Sequence, residues 1–316
     1  SMLRFLRRGA ALYHRADLAW PLQQLIPDRV PRGIIPTEPA FPPSVSLASD
    51  FTVLRDGWSP TSFYMAIDHG PMTSQHSHID TLGFVAYAHG RPIALDSGLG
   101  PNYEDPRYVN WFRKLRAHNV IAIDDGESEK IAERTFWKPG PDMDVVGCLS
   151  RAYTHALGVI HARTFYFAKG VGWLIEDILT APPGFHWAHH TVDWILHTPY
   201  PLALKQPGLL EGEDEGGGVL ILSGLPDTLE TPRFELMPAS LPCPQARGMR
   251  PWDIGRRISP AILTPSITSL TWRRKPDAAG PCRFVTGIFP YRGKRPEARL
   301  VQTPVGFTLQ RTACPD

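Results

Sequence analysis

The chain is short of cysteine, of long apolar runs and of net charge, and each shortage removes a class of protein. Its 316 residues hold four cysteines, at positions 148, 243, 282 and 314, and none forms a C-x-x-C pair. A cysteine-built zinc knuckle is excluded, while disulfides stay open. No run approaches the ~20 apolar residues of a membrane-spanning helix. The basic opening LRFLRR leads only into GAALY, too short for the apolar core of a signal peptide. Ser1-Met2 reads as a cleavage scar, which leaves open both a natural N-terminus carrying a signal or another domain and a naturally short protein. With 33 Lys+Arg against 31 Asp+Glu the formal charge is +2, so a nucleic-acid partner has little support. Basic clusters do occur, at Arg113, Lys114 and Arg116, at Arg256 and Arg257, at Arg273, Arg274 and Lys275, and at Lys294 and Arg295. Each is read as solvated surface or as contact for an acidic ligand. No repeat of fixed period is present.

What is abundant is proline, 33 residues, and glycine, 27. Both interrupt helices and central strands, which favours short strands joined by turns. An apolar fraction of 42% is ordinary for a globular chain with a sizeable core. The best helical pattern is Leu3 to Ile26, with Leu3, Leu6, Ala10 and Tyr13 at helical spacing and Ala19, Trp20 and Leu22 continuing an apolar face. A proline-dense connection follows from Pro27 to Pro43. The spacing then predicts a dozen strands, Phe51–Arg55, Ser62–Ile67, Thr81–Ala88, Ile93–Leu95, Val120–Ile123, Val159–Phe167, Gly172–Ile178, His186–Ile195, Val219–Leu222, Ser266–Trp272, Arg283–Phe289 and Gly306–Gln310, punctuated by His89-Gly90, Asp124-Asp125-Gly126 and Lys169-Gly170. The acidic tract Glu211–Gly218 reads as an exposed hairpin loop. A dozen strands without intervening helices predict a mainly β chain: a large antiparallel β-sandwich with a short helical N-terminal segment. We expect a helical segment and linker over 1–46 and the sandwich over 47–316.

The chemistry concentrates between Gly70 and Asn119. His76, His78 and Asp80 stand at i, i+2 and i+4, so an extended chain presents all three on one face. Such a trio ahead of an apolar strand suits metal binding or catalysis as well as it suits a structural role. Asp96 ends an apolar strand before a Gly-rich turn and reads as a turn cap or a site carboxylate. With His89-Gly90 as a hairpin turn, Asp96 falls opposite Gly83, on the other face from His78, so local pairing predicts no chelate. His118 and Asn119 precede a further strand, and Asn119 offers a neutral donor and acceptor. His155 and His161 are alternative ligands; His186, His189, His190 and His197 read as packing or surface residues. Gly70, His76 and His78 also match the opening of a cupin metal motif, but Leu82 and Gly83 stand where that motif needs a glutamate.

The whole arrangement resembles the sandwich domain of the heparinase II/III-like polysaccharide lyases. The resemblance runs through H-x-H-x-D at His76–Asp80, HGRPIALDSG at His89–Gly98, Tyr103, and an Arg113 or Arg116, Ala117, His118, Asn119, Asp124 run. It covers about Phe51 to His197 well and the remainder only in strand content. It implies a supersandwich-like fold and one zinc ion held by His78, Asp96 and His118. It also implies His76 and Tyr103 as catalytic groups, with Tyr108 as the fallback, and Arg113, Arg116 and Asn119 near the substrate. Asp80 is then expected to orient a histidine. The implied reaction is β-elimination on an acidic, uronate-containing polysaccharide, in a periplasmic or secreted setting. Complete members place a helical toroid before the sandwich, and the Leu3–Ile26 segment matches at most its last helices. Slow or absent turnover by this chain alone is therefore expected.

Overall fold

The computed structural model describes residues 2–71, 77–98, 100, 103–124, 126, 129–239, 266–276, 278, 281–304 and 306–312. The N-terminal pattern forms two helices, α1 (Met2–Tyr13) and α2 (Ala16–Leu25), rather than one. They break at His14, whose φ of 50° is left-handed and cannot continue a helix. Ala10 of α1 and Ala19 and Leu22 of α2 are buried. No described helix is long and apolar enough to cross a membrane.

The first sheet is a meander of β1 (Val45–Ser46), β2 (Phe51–Arg55), β3 (Tyr64–Asp68), β4 (Phe84–Ala88) and β5 (Arg91–Ala94), each pairing antiparallel with the next. After β6 (Ile121–Ile123) come β7 (Ala132–Lys138), β8 (Met143–Tyr153), β9 (Val159–Ala168) and β10 (Gly172–Thr180). Then follow β11 (Val192–Thr198), β12 (Leu202–Gln206), β13 (Leu209–Asp214), β14 (Gly217–Ser223), β15 (Arg233–Pro238), β16 (Ser266–Arg273) and β17 (Cys282–Arg292). The hairpin β18 (Glu297–Thr303) and β19 (Gly306–Thr312) ends the described chain. The largest sheet has the order β12-β13-β14-β17-β10-β9-β8-β7, and a four-stranded one runs β15-β16-β11-β6.

The first and four-stranded sheets join end to end. Leu95 N–H donates to the His197 carbonyl at 2.9 Å, and the Thr198 hydroxyl donates to the Ile93 carbonyl at 2.7 Å. Together they face the eight-stranded sheet over one core. Leu54, Met65, Ile67 and Phe84 come from the first sheet, Trp194, Leu196 and Trp272 from the second, and Phe165, Trp173, Ile175 and Ile288 from the large one. Alternating burial along β9 places every second residue in that core. Trp173 is fully buried and stacks on Phe167 opposite it at 5.7 Å; burying one such ring is worth roughly 3 kcal/mol. The β18–β19 hairpin packs Leu300 and Leu309 against Leu220, Leu222 and Phe289 on the far side of the large sheet.

Several expectations shift here. The tract expected as an exposed loop at 211–218 is mostly paired strand, with β13 and β14 in register from Leu209–Leu222 to Asp214–Gly217. Glu211 is 3% exposed and takes the Tyr291 hydroxyl, because strand register and not acidity decides which side it faces. The strand expected over His186–Ile195 starts only at Val192, after a short helical turn at Trp187–His189. Cys148 and Cys282 are buried free thiols, which burial pushes up to about 12. Cys243 and Cys314 lie outside the described residues.

Candidate functional site

Three segments meet at the seam between the first and four-stranded sheets. One carries His78 just ahead of β4, one carries Asp96 just after β5, and one carries His118 just ahead of β6. Asp96 is delivered by the β4–β5 hairpin, whose turn residues His89 and Gly90 have φ of 55° and 76°, the two-residue turn that matches strand twist. The pairing then shifts from Tyr87–Pro92 to Ala86–Ala94 through a bulge. A one-residue slip turns following side chains to the opposite face. That bulge removes the face mismatch that simple hairpin counting gave for Asp96.

One ligand atom each of His78, Asp96 and His118 lies within 4.8 Å of the others. His118 is fully buried, His78 is 8% exposed, and the Asp96 side chain is 29% exposed. His118 Nδ1 lies 2.5 Å from Asp96 Oδ2, and Asp96 Oδ1 accepts from Gly98 N–H at 2.8 Å. Burial alone would raise the Asp96 carboxyl, but the His118 charge and hydrogen bond outweigh it and hold it low. Burial likewise lowers the His118 imidazole, and Asp96 reverses this and raises it. His78 is held below its ordinary value by burial and then by His118.

Nε2 of His78 and Nε2 of His118 are both buried without a hydrogen-bond partner. Leaving two such nitrogens dry costs about 1–3 kcal/mol each. Two imidazoles and a carboxylate are a donor set that zinc accepts with a fourth position open, at ligand separations near ~3.3 Å. The residues present fit the ion, since small side-chain rotations close a 4.8 Å triangle. In this structure Asp96 holds His118 through Nδ1, and an ion taking one nitrogen of each histidine and one Asp96 oxygen would replace that hydrogen bond.

The other candidates fall into place around these three. Tyr103 is 53% exposed, with its ring edge-on to Tyr108 at 5.0 Å. Tyr108 is buried and stands 5.8 Å from the His78 ring, so of the two tyrosines Tyr103 is the solvent-exposed one. Gly100 has φ of 75°, and a Cβ there would meet the Phe112 ring at 2.6 Å, which suits only glycine in this tight approach. Arg113 steadies the His78 segment: its carbonyl accepts from Ile79 N–H at 3.1 Å and its Nε donates to the Ser77 carbonyl at 3.3 Å. His76 lies outside the described residues.

Four expectations change. Asn119 is 1% exposed; its amide donates to the Phe84 and Leu95 carbonyls at 2.7 and 2.9 Å and accepts from His197 N–H at 2.6 Å. It is a bracket between strands, not a substrate contact. Arg116 donates to buried Asp193 at 3.0 Å and to the Asp124 carbonyl at 3.1 Å, which points it at the four-stranded sheet. Asp80 pairs with Lys130 at 2.6 Å, and no hydrogen bond to a histidine is seen for it among the described residues. His155 is exposed on Glu129, and His161 is bound to buried Asp177 at 2.6 Å, so neither joins the cluster.

Two residues matter here that sequence reading did not place at the site: His197, read there as packing or surface, and Arg163. His197 is fully buried beside Asp96, donates from Nε2 to the Arg116 carbonyl at 3.0 Å and is pushed by burial down to about 4. Arg163, fully buried in β9, reaches across the core to the Leu82 and Asn119 carbonyls at 2.8 and 3.1 Å. Only the tertiary fold brings either one to the seam. The three-residue cluster opens onto a cleft of about 370 Å3 lined by Asp50, Asp68, Ser77, His78, Asp80, Asp96 and Lys130 among others.

Comparison with known proteins points one way. A family model described as heparinase II/III-like, C-terminal, matches residues 40–217. No curated protein matches significantly. Among solved structures, the heparan sulfate lyase HepC from Pedobacter heparinus superposes with a TM-score of 0.73 at 17% identity, over 98% of this chain and 47% of that one. A heparinase III gives 0.72 at 16% identity, over 98% and 46%, and a further heparinase III gives 0.63 at 15%, over 93% and 45%. At these identities the likeness is one of fold, and the chain spans about half the length of the structures it matches. The family match takes in the whole His78, Asp96 and His118 cluster, and the chain belongs to the heparinase II/III-like family, with that family's C-terminal domain over residues 40–217.

Proposed function

We propose that this chain is the zinc-bearing sandwich of a lyase that cleaves uronate-containing acidic polysaccharide by β-elimination. The observation that carries the reading is the cluster of His78, Asp96 and His118, one ligand atom of each within 4.8 Å of the others, beside an open cleft. Zinc held there supplies positive charge and ties the three segments together. In the elimination, a base removes the C5 proton of the uronate, the electron pair forms the C4–C5 double bond, and the C4–oxygen bond breaks toward the leaving sugar, which takes a proton. The C5 proton becomes acidic only when the neighbouring carboxylate is neutralised. Tyr103 is the exposed hydroxyl suited to proton transfer, and His76 keeps its role as a proposal from the family resemblance.

The described lining of the cleft carries Asp50, Asp68, Asp80 and Asp96 against one lysine, so groups beyond these must neutralise the substrate carboxylate. We therefore expect weak binding and little turnover by this chain alone, and secretion or periplasmic export of the whole protein. That acidic lining also favours a second reading, a carbohydrate-binding sandwich whose zinc is structural. The two separate in one assay, the ultraviolet absorbance of unsaturated uronate released from heparan sulfate and other uronate polymers by a longer chain that includes a preceding helical domain. Product that disappears in Tyr103→Phe supports the lyase; zinc retained with no product on any uronate polymer supports the binding module.

A further inference from the structure

Lys130 is the one lysine or arginine among the described residues lining the cleft. It is 8% exposed, a burial that lysine tolerates only when paired. Its Nζ lies 2.8 Å from Asp68 Oδ2 and 2.6 Å from Asp80 Oδ1. The two carboxylates differ in how firmly they are held. Asp68 ends β3, its N–H donates to the Gly83 carbonyl at 2.9 Å, and its Oδ1 accepts from Gly70 N–H at 2.9 Å. Asp80 belongs to the short segment between Ser77 and Gly83, outside any strand and two residues after His78. That segment turns tightly, with Gly83 N–H on the Asp80 carbonyl at 2.7 Å and Leu82 at a φ of 56°. An ammonium shared between a fixed carboxylate and a carboxylate on this segment is a tie across the cleft wall.

We propose that Lys130 is a positioning residue of the metal centre: clamped between Asp68 of β3 and Asp80, it fixes the segment that presents His78. The inference rests on the zinc reading above. Groups that orient a ligand from behind typically change metal affinity 10–100-fold when removed. A lysine that serves the fold alone lowers stability and leaves affinity where it was.

The test is zinc affinity, by competition with a chromophoric chelator, in the wild type, Lys130→Met, Lys130→Arg, Asp80→Asn and the Lys130→Met/Asp80→Asn pair. Urea unfolding of the metal-free proteins and hydrogen exchange of residues 77–83 run alongside. We expect Lys130→Met to weaken zinc about 10–100-fold and Lys130→Arg to recover most of that loss. The double variant should be no weaker than Lys130→Met, because both changes break one tie. Wild-type affinity in Lys130→Met, or losses that simply add in the pair, overturns the proposal. If the wild type takes up no zinc, the zinc reading fails and exchange decides this one. Faster exchange at the Ile79 amide in Lys130→Met with β4 unchanged supports the tie, and unchanged protection overturns it.

Discussion

The side-chain amide of Asn119 spends both donors and its acceptor on Phe84, Leu95 and His197, one backbone group from each of three neighbouring strand segments. Removing it strands those buried groups, at about 1–3 kcal/mol each where no water enters. Asn119→Ala should therefore lose roughly 2–4 kcal/mol in urea unfolding; a substrate contact with no structural role would leave the unfolding midpoint unchanged. His197 acts through protonation. Burial holds its folded value at about 4, against an ordinary value near ~6.5, so between those limits the unfolded chain binds more protons. Its contribution is present above pH ~6.5 and is lost as pH falls toward ~4, to an extent of order 3 kcal/mol. Unfolding midpoints at pH 7 and pH 5 should differ less in His197→Gln than in the wild type. An equal drop in both would move the acid sensitivity to other buried groups.

Among elements, β9 and β10 do more than fill the large sheet. Arg163 on β9 and Asp177 on β10 form a fully buried ion pair, with Arg163 Nε 2.5 Å from Asp177 Oδ1 and His161 on the same oxygen. Burial would raise the Asp177 carboxyl, and Arg163 and His161 outweigh it and hold it low. Breaking such a pair from one side costs about 3–5 kcal/mol, while replacing both partners by apolar groups is often close to neutral. Arg163→Met alone should unfold at markedly lower urea, and Arg163→Met/Asp177→Leu should recover much of the loss. If the double variant is as unstable as the single one, the carbonyl clamp on Leu82 and Asn119 matters more than the charge pair.

The elements also show what was legible in sequence. β2 was placed to the residue, and β9, β10 and β16 nearly so, because alternation and Gly punctuation are local signals. β7, β8 and β15 were missed; their residues face solvent on one side or carry mixed polarity, which blurs the alternation. His78 and His118 stood out by residue type and neighbours. The approach of Asp96 to them did not, since it hangs on the bulge after Tyr87. Lys130 and Arg163 gave no local signal at all, because their partners are 44 or more positions away in each case except the Arg163 pair with Asp177.

At the scale of the whole molecule, two sheets meet end to end over a third, and the seam is where three chain segments leave regular pairing together. A seam is a natural place for a site, since side chains at strand ends are fixed by the layers without being enclosed by them. Metal content of purified protein should be measured by inductively coupled plasma mass spectrometry, for the wild type beside His78→Ala and Asp96→Ala. About one zinc per chain, lost in both variants while both remain folded, is the predicted result. A wild type without stoichiometric metal, or one whose zinc survives both substitutions, would contradict it.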